Sequence, residues 1–577
     1  MNDWLTAINE VIWHDSVLYI VLAVGLLFTI WSGFCQYHAL THGVRVLGGR
    51  YDDKSDPGAI NHFQALSAAL SATVGLGNIG GVAVAIALGG PGAVFWMWVV
   101  GLAGMALKTT EVTLSMIYRR TDNPDEPSGG PMWVVDTAVA EKYPRLKPLG
   151  RAVGVLFCIT LLISTITGGN MFQAWNVGVV TQESFGVPQQ VVGVILTVLV
   201  GLVILGGIKR IGAVAGAIVP AMCLFYLVAA LWVLVINIAV IPDMLALIVK
   251  SAFNPAEASG AFVGGTFGFA FLWGMKRALF SSEAGQGSSP IAHCAAKTRE
   301  PVREGVVAGL EPFIDTLVVC TLTSLVVLSS GAWNRGGETT LPAAPAFVAT
   351  QDGAWDLPDT ALPAKSPAAL AISGADWRPG DDVFLIARYG GIDRGSGTDL
   401  RRINGKVSAA GDRLTVDWQP VGGPAHPIAD APALHTLEVY KDYVGAALTS
   451  HAFDRVTPGL GKWLVPIASW LFAVSTMISW AYYGEQGMVY MAGRRSVLPY
   501  KIVYCLSIFV ACAGIINTEE ELDNITALGT GIMLWVNIPI MLLFGATAMT
   551  AYRGYFERLR AGAFDPPNGG AKPGPGI

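Results

Sequence analysis

Hydroxyls, an amide and four glycines are crowded into Ser71-Ala72-Thr73-Val74-Gly75-Leu76-Gly77-Asn78-Ile79-Gly80-Gly81-Val82, in the middle of an apolar stretch from about Phe63 to Ala87. These groups suit binding rather than bond-making. Each interior glycine costs a helix about 0.8–1 kcal/mol relative to alanine, so a lipid-spanning helix carrying Gly75, Gly77, Gly80 and Gly81 is expected to break there. Lipid cannot satisfy the N–H and C=O groups that a break frees, so a break is tolerated where it lines a cavity or meets a ligand or ion. The stretch is therefore the first candidate for a site. Its Gly75-x-Gly77-x-x-Gly80 spacing also matches a dinucleotide-binding turn, which needs a preceding strand and an acidic residue about 20 positions on. Here that region reads Val94-Phe95-Trp96-Met97-Trp98, and no strand pattern precedes it. No nucleophile constellation is visible, so no enzyme activity and no organic cofactor are expected.

Other residues have the same character. Asn170, Gln173 and Asn176 recur every three positions beside Gly168 and Gly169, laying amides along one helical stripe. Such a stripe lines a polar site or glues helices together. Asp315 falls close to mid-depth in its apolar run, with Thr316, Thr321 and Thr323 alongside. A mid-membrane carboxylate reads as a gating or cation-related group, or as a buried hydrogen-bond acceptor. Ser475 and Thr476 are adjacent mid-membrane hydroxyls, which ligate or bond back to their own helix. His38 and His42 lie four apart, a spacing able to bind metal, but with no third ligand nearby an interfacial pair is the simpler reading. Lys108 and Glu111, three apart, read as a local ion pair or as a functional charge.

The elements that must position these residues follow from composition. With 577 residues, 53% hydrophobic and 14% charged, and a mean hydropathy of +0.51, the chain reads as an all-α polytopic membrane protein. Its net charge of −5 argues against nucleic acid. Runs of about 20 apolar residues, the length of a span, occur at about 16–40, 62–87, 92–118, 152–179, 189–207, 212–241, 261–281, 304–330, 462–486, 499–517 and 525–551, eleven in all. The seven cysteines have no metal or redox spacing and read as packing residues. No Lys or Arg precedes the first run and no small-residue cleavage site follows it, so that run is expected to be a retained helix rather than a signal peptide.

Lys and Arg concentrate in alternate short loops, such as Arg45-Arg50-Lys54, Lys209-Arg210, Lys297-Arg299-Arg303 and Arg553-Arg558-Arg560. Positive loops stay cytoplasmic. The N-terminus is thus expected outside and the C-terminus inside the bacterial cytoplasmic (inner) membrane.

A second glycine-interrupted run, Gly260-Ala261-Phe262-Val263-Gly264-Gly265-Thr266-Phe267-Gly268-Phe269-Ala270-Phe271-Leu272-Trp273-Gly274, is the sixth span counted from the first broken one. Paired interrupted helices in successive groups of five point to an inverted repeat with its site at the midplane. The expected domains are 1–61 (an extra helix and a cytoplasmic loop), 62–241 (first five-helix repeat), 260–333 with 446–552 (second repeat), 334–445 (an insert) and 553–577 (a disordered cytoplasmic tail). Alternating segments in the insert, such as Asp382–Tyr389 and Arg413–Trp418, read as strands. It is expected to be a small β-rich extracytoplasmic domain whose partner is unknown.

At Val74-Gly75-Leu76-Gly77-Asn78-Ile79, Gly89-Gly90-Pro91-Gly92 and Phe95-Trp96-Met97-Trp98 the chain resembles the alanine or glycine:cation symporter family. The likeness recurs at Gly169-Asn170-Met171-x-Gln173-Ala174, at Leu279-Phe280-Ser281-Ser282-Glu283-Ala284-Gly285-x-Gly287-Ser288-x-Pro290-Ile291, at Asp315-Thr316-Leu317-Val318-Val319-Cys320 and at Phe472-Ala473-x-Ser475-Thr476. It covers nearly all the chain outside the insert, which departs from the family pattern. The resemblance implies a leucine-transporter-like fold: a five-plus-five inverted repeat, here preceded by one extra helix. It implies sodium-coupled symport of small neutral amino acids, alanine or glycine, by alternating access, with a proton as the alternative coupling ion and a different small solute as the alternative cargo. The Thr73 carbonyl and the Asn78 side chain would then face a site shared with the substrate carboxylate. Carbonyls of Ser71, Val74 and Ala473 with the hydroxyls of Ser475 and Thr476 would form a second sodium site. Half-helix N-termini near Gly77 would meet the carboxylate, Asn170 and Gln173 the ammonium, and Phe267, Phe271 and Trp273 would wall the side-chain pocket.

Overall fold

The computed structural model describes residues 8–564 except 10, 54, 351–352, 412, 424–427, 429 and 514–518. Its long helices follow the apolar runs. The first half holds α1 (Asp15–Trp31), α2 (Cys35–Leu47), α3 (His62–Thr73), α4 (Gly77–Gly89), α5 (Gly92–Ile117), α6 (Pro131–Lys142), α7 (Pro144–Gln182), α8 (Gln189–Ile204), α9 (Gly207–Ile236) and α10 (Ile241–Ser251). The second holds α11 (Phe267–Ser282), α12 (Ser289–His293), α13 (Pro301–Ser329), α14 (Ala446–Val456), α15 (Leu460–Ala492), α16 (Arg494–Cys512) and α17 (Glu519–Arg560).

Among the described residues, seven helices are long and apolar enough to cross a membrane, or nine if the bent pairs α1/α2 and α3/α4 each count as one span. This is the architecture of a polytopic membrane protein. Full-length spans are nevertheless fewer than the eleven expected. α8 and α11 have only 16 residues each. In α11 the reason is that Gly260–Gly265 is not helical but forms a small antiparallel turn, with Ser259 facing Phe262 and Ala256 facing Gly265. At the other end, α17 continues to Arg560, so the first eight residues of the expected tail are helical; 565–577 lie outside the described residues.

α5 is the buried axis of one side of the bundle and packs against α11, α13, α1 and α17. α15 does the same on the other side, against α3, α7, α9 and α14. Small residues permit the close crossings. A Cβ on Gly274 would sit 2.4 Å from the Ala93 carbonyl oxygen, and one on Gly92 would sit 2.2 Å from that of Ser251. The His38 and His42 side chains each meet a tyrosine of α17, Tyr552 at 2.7 Å and Tyr555 at 2.7 Å, which is the interfacial arrangement.

The insert contains an antiparallel sheet in the spatial order Thr339–Thr340, Glu438–Lys441, Asp382–Arg388, Leu400–Ala410, Arg413–Trp418, Thr360–Ala361. Asp382–Arg388 is buried on both faces, which accounts for its unbroken Val-Phe-Leu-Ile-Ala run. Val383, Leu385 and Ala387 enter the insert's own core with Trp377 and Trp418, while Phe384 and Ile386 cluster with Ala261. The sheet is thereby seated on the lead-in to α11. Hydrogen bonds fasten it, among them Thr266 N–H to the Gly395 carbonyl (2.8 Å), Thr398 Oγ1 to the Val263 carbonyl (2.8 Å) and the Arg402 guanidinium to the Ala261 carbonyl (2.9 Å).

Gly274→Val should destabilise the bundle by about 1–3 kcal/mol, the usual cost of overpacking, because the obstructing atom is backbone. Gly268→Ala, where a Cβ meets nothing within 4 Å, should leave the melting temperature in detergent unchanged. Equal melting temperatures for the two variants would show that the α5–α11 crossing is not tight.

Candidate functional site

The first break forms where expected. α3 is capped at its start by a reciprocal Asn61–Gln64 box and ends at Thr73, after which Val74 turns extended. α4 restarts at an angle of 56° with a π-helical turn at Gly77–Gly81. The Gly75 N–H, which would have continued the α3 ladder to the Ser71 carbonyl, is taken instead by Asn78 Oδ1 at 2.8 Å. Gly75 sits close against α15: a Cβ there would lie 3.1 Å from Thr476 Oγ1, a tight contact.

The second break is not where the glycine count put it. α11 runs unbroken through Gly268 and Gly274 and ends at Ser282; the chain then passes through Glu283, Gly285 and Gly287, at φ of +52°, +84° and +82°, before α12. The glycines at 260–274 serve the lead-in and the α5 crossing instead. Positive φ at a non-glycine residue is uncommon, and Glu283 adopts it inside the protein, 3% exposed. In the sequence, the signal for this break is the polar, glycine-spaced run Ser281-Ser282-Glu283-Ala284-Gly285-Gln286-Gly287.

Asp315 joins the two breaks. It is fully buried on a π-helical turn of α13, Phe313–Cys320, and accepts from Asn78 Nδ2 (2.5 Å), Ser281 Oγ (3.0 Å) and Thr316 Oγ1 (2.8 Å). One donor thus comes from each broken helix and one from its own turn. Wide turns of this kind recur at functional sites, and a third, Thr167–Met171 in α7, brings Gly168 and Gly169 to the same region.

Between the breaks lies a cavity lined by Ala72, Thr73, Gly75 and Gly77 of the first break, Phe280, Ser281, Glu283 and Gln286 of the second, Ser164, Gly168, Gly169 and Gln173 of α7, Thr476 and Trp480 of α15, and Thr526 and Thr530 of α17. It is small, about 40 Å³, against about 10–15 Å³ for one water. Among the described residues, Ser164 Oγ, Gln173 Oε1, Gln286 Oε1 and Thr476 Oγ1 are buried there without a hydrogen-bond partner. Buried polar atoms are nearly always paired, so these orphans mark a place for a polar occupant.

Several expected site residues meet here and others do not. Thr73, Gly75, Gly77 and Gln173 line the cavity. Asn78 stands behind it, both ends of its amide taken by Gly75 and Asp315. Asn170 leaves the stripe shared with Gln173: its Nδ2 donates to the Tyr504 carbonyl (2.7 Å) and Ser507 Oγ (2.7 Å), gluing α7 to α16. Asn176 bonds back to the Phe172 carbonyl at 3.0 Å. Phe267, Phe271 and Trp273 lie at the far end of α11 from the cavity. Phe267 is 43% exposed, Phe271 stacks on Tyr19, and Trp273 packs on Phe269. The aromatic walls are Phe280 and Trp480, the latter pressed so close to Gly169 that a Cβ there would lie 2.3 Å from its ring.

The oxygen-rich set gathers where α3 and α15 pack. Ser71 Oγ donates to the Ser475 carbonyl at 2.6 Å, while Ser475 Oγ donates to the Phe472 carbonyl at 2.9 Å and reaches the Ser71 carbonyl at 3.5 Å. Val74 and Ala473 are fully buried beside them, and Thr476 Oγ1 is the orphan facing Gly75. Neutral oxygen donors, one of them unpaired, suit a hard monovalent cation.

Comparison with known proteins adds to this geometry. A family model described as the sodium:alanine symporter family matches residues 1–357 and 431–568. A sodium/alanine symporter of Methanococcus maripaludis, AgcS, is 32% identical over 553 residues, covering 96% of this chain and 97% of its own. An uncharacterized transporter of Haemophilus influenzae is 30% identical, covering 97% of each chain. The amino-acid carrier protein AlsT of Bacillus subtilis is 35% identical over 335 residues, 58% of this chain and 68% of its own.

If Asp315 binds the breaks as one network, Asn78→Ala and Ser281→Ala should be non-additive, with an interaction energy of about 0.5–3 kcal/mol in thermal unfolding. Additivity within about 0.5 kcal/mol would mean that the two helices hold Asp315 independently.

Proposed function

The chain belongs to the sodium:alanine symporter family, and from that premise we propose that it moves a small neutral amino acid, alanine or glycine, into the cell together with sodium, the amino acid resting between the two breaks. The observation that carries this reading is the group of four unpartnered polar atoms around a cavity with room for only a few heavy atoms. A zwitterion needs donors for its carboxylate and acceptors for its ammonium. The N-terminal end of α4 offers the first, through N–H groups and a favourable dipole. Gln173 Oε1, Gln286 Oε1 and the Glu283 carboxylate offer the second. Phe280 and Trp480 close the space around the side chain, and such a pocket separates homologues by only about 1–3 kcal/mol per methylene, so both glycine and alanine are expected as cargo.

Sodium rests at the α3–α15 crossing, on Ser71, Val74, Ala473, Ser475 and Thr476. Gly75 joins the two sites: its backbone lines the amino acid's cavity and its Cα faces Thr476. Occupation of one site therefore organises the other, and by linkage each ligand raises the other's affinity equally. The helix order supports a leucine-transporter-like arrangement, with α3/α4, α5, α7, α8 and α9 as one group, α11/α12, α13, α15, α16 and α17 as its inverted counterpart, and α1/α2 as the extra element. In that arrangement the protein sits in the cytoplasmic (inner) membrane with its N-terminus and its insert outside and its C-terminus inside, and the breaks are the hinges of alternating access.

Uptake of labelled alanine into proteoliposomes tests this. An inward sodium gradient should drive accumulation, and Thr476→Val should weaken the sodium dependence by about tenfold or more, since a hydrogen-bonding group on a charge contributes about 1.5–3 kcal/mol. Sodium-independent accumulation would overturn the coupling, and failure to carry alanine or glycine under any gradient would overturn the cargo.

A further inference from the structure

Seven titratable groups next to the second break are all but sealed from solvent: Lys108 (0%), Glu111 (2%), Glu283 (3%), Glu304 (0%), Glu311 (0%), His293 (0%) and His62 (1%). Most of them form one chain. His62 Nδ1 contacts one oxygen of Glu304, and His293 Nδ1 lies 2.5 Å from the other. His293 Nε2 lies 2.7 Å from Glu311, whose second oxygen is 3.3 Å from Lys108 Nζ; Glu111 stands 3.8 Å from the same ammonium. Lys108 is thus closer to Glu311 of α13 than to its own-helix neighbour. At one end His62 Nε2 is 4.0 Å from Asp52, which is 42% exposed. At the other, Glu111 accepts from Asn537 Nδ2 (2.9 Å), which also donates to the Gly285 carbonyl (2.8 Å) inside the break.

Donor counting shows what this chain holds. A neutral imidazole carries one N–H, and an ionised carboxylate only accepts. His293 makes two contacts with carboxylates, so the Glu304–His293–Glu311 triad holds one proton beyond a neutral histidine and two ionised glutamates. That proton sits on the imidazole or on either carboxyl. The surrounding charge demands it too. With both imidazoles neutral and every carboxylate ionised, Glu111, Glu283, Glu304 and Glu311 would set four buried negative charges around the Lys108 ammonium, with Arg119 the next cation beyond it, an arrangement that burial penalises heavily. α3 faces the triad with His62, α5 with Lys108 and Glu111 and, beyond them, Arg119, which binds the Cys294 and Ala296 carbonyls. α15 faces the carboxylates with the Tyr483 hydroxyl, and the break itself with Glu283.

We propose that the Glu304–His293–Glu311 triad is a proton-binding site, loaded from the Asp52–His62 end, whose occupancy is tied to the second break, so that each transport cycle moves a proton as well as sodium and amino acid. In the transfer, the His62 Nδ1–H bond breaks as an O–H bond forms on the Glu304 oxygen it contacts; the neutral carboxyl then turns to present that hydroxyl to His293, and the O–H bond breaks as an N–H bond forms on Nδ1. His62 regains its proton from the Asp52 end, on release the steps reverse, and nothing is oxidised or reduced. The tie to the break is direct: Ser289, at the start of α12, donates to Glu311 at 2.7 Å, and His293 ends α12. Losing the extra proton leaves two carboxylates sharing one N–H at the end of the segment that carries Glu283 and Gly285.

This rests on the symport reading above, and one assay separates the two. Proteoliposomes with a trapped pH dye, membrane potential clamped, receive labelled alanine under a sodium gradient. A zwitterion and sodium alone move no protons, so an alanine-dependent pH change inside the vesicle is expected of the native protein. His293→Gln keeps a hydrogen-bonding side chain that cannot be protonated; it should still accumulate alanine while the pH signal falls to that of empty vesicles. Glu304→Gln should slow the pH signal more than the uptake. Alanine accumulation with a flat dye in the native protein overturns this proposal and leaves symport standing, as does an undiminished proton signal in His293→Gln. Silence of both label and dye, from folded protein, overturns both.

Discussion

A fully buried carboxylate held by three neutral donors is the constraint on which the centre of this protein depends. Two helices break inside the bundle, and each break frees backbone groups that lipid cannot satisfy. Asn78 resolves one by accepting the Gly75 N–H while donating to Asp315, and Ser281 brings the end of α11 to the same oxygen. Because Asp315 lies on α13, three elements share one acceptor, and moving any one of them alone strands a buried donor. In the low-dielectric interior a stranded donor is costly, so the network resists piecemeal movement. It lets the two half-helices stand apart, with a cavity between them, without collapsing onto each other.

Two scales of order are visible around that centre. Glycine approaches of backbone to backbone, Gly274 of α11 on Ala93 of α5 and Gly92 of α5 on Ser251 of α10, leave these crossings almost no freedom to slide. A few residues away, Ser164, Gln173, Gln286 and Thr476 have polar atoms with nothing to hold. Rigid crossings fix where these polar atoms stand around the cavity. The ionic chain from His62 to Glu111 lies beside this arrangement, joined to it through Asn537 and Gly285.

Much of this was legible in the sequence because composition and period report on lipid contact. The apolar runs, the first break with its Gly75 and Asn78, the mid-depth Asp315 and the hydroxyl pair Ser475–Thr476 all carry local signals. What misled was counting glycines. Gly264, Gly265, Gly268 and Gly274 look like a break, but glycine also permits close crossings and extended lead-ins, and only the partner helix tells these uses apart. The true break turns on positive φ at Glu283, which no propensity for glutamate anticipates. Likewise Asn170 and Gln173 share a stripe in sequence, yet a π-helical turn at Thr167–Met171 rotates them onto different neighbours, so a pattern built on regular helix geometry groups residues that the fold separates. Phe267, Phe271 and Trp273 stand away from the cavity for the same reason: the break lies at the Ser282 end of α11, not at the glycines that precede and open the helix.

The seat of the sheet on the lead-in to α11 has a mechanical side. Thr266 is bonded to Gly395 and Val263 to Thr398, so the sheet is an outboard extension of the helix rather than a tethered appendage. A rotation that pivots near Glu283 grows with distance from the pivot, and the sheet lies at the long end of that lever. Angular changes too slight to notice beside the cavity are thereby magnified at the strands' outer edge. The leverage would run the other way as well: a load on the sheet would reach the helix through the same hydrogen bonds.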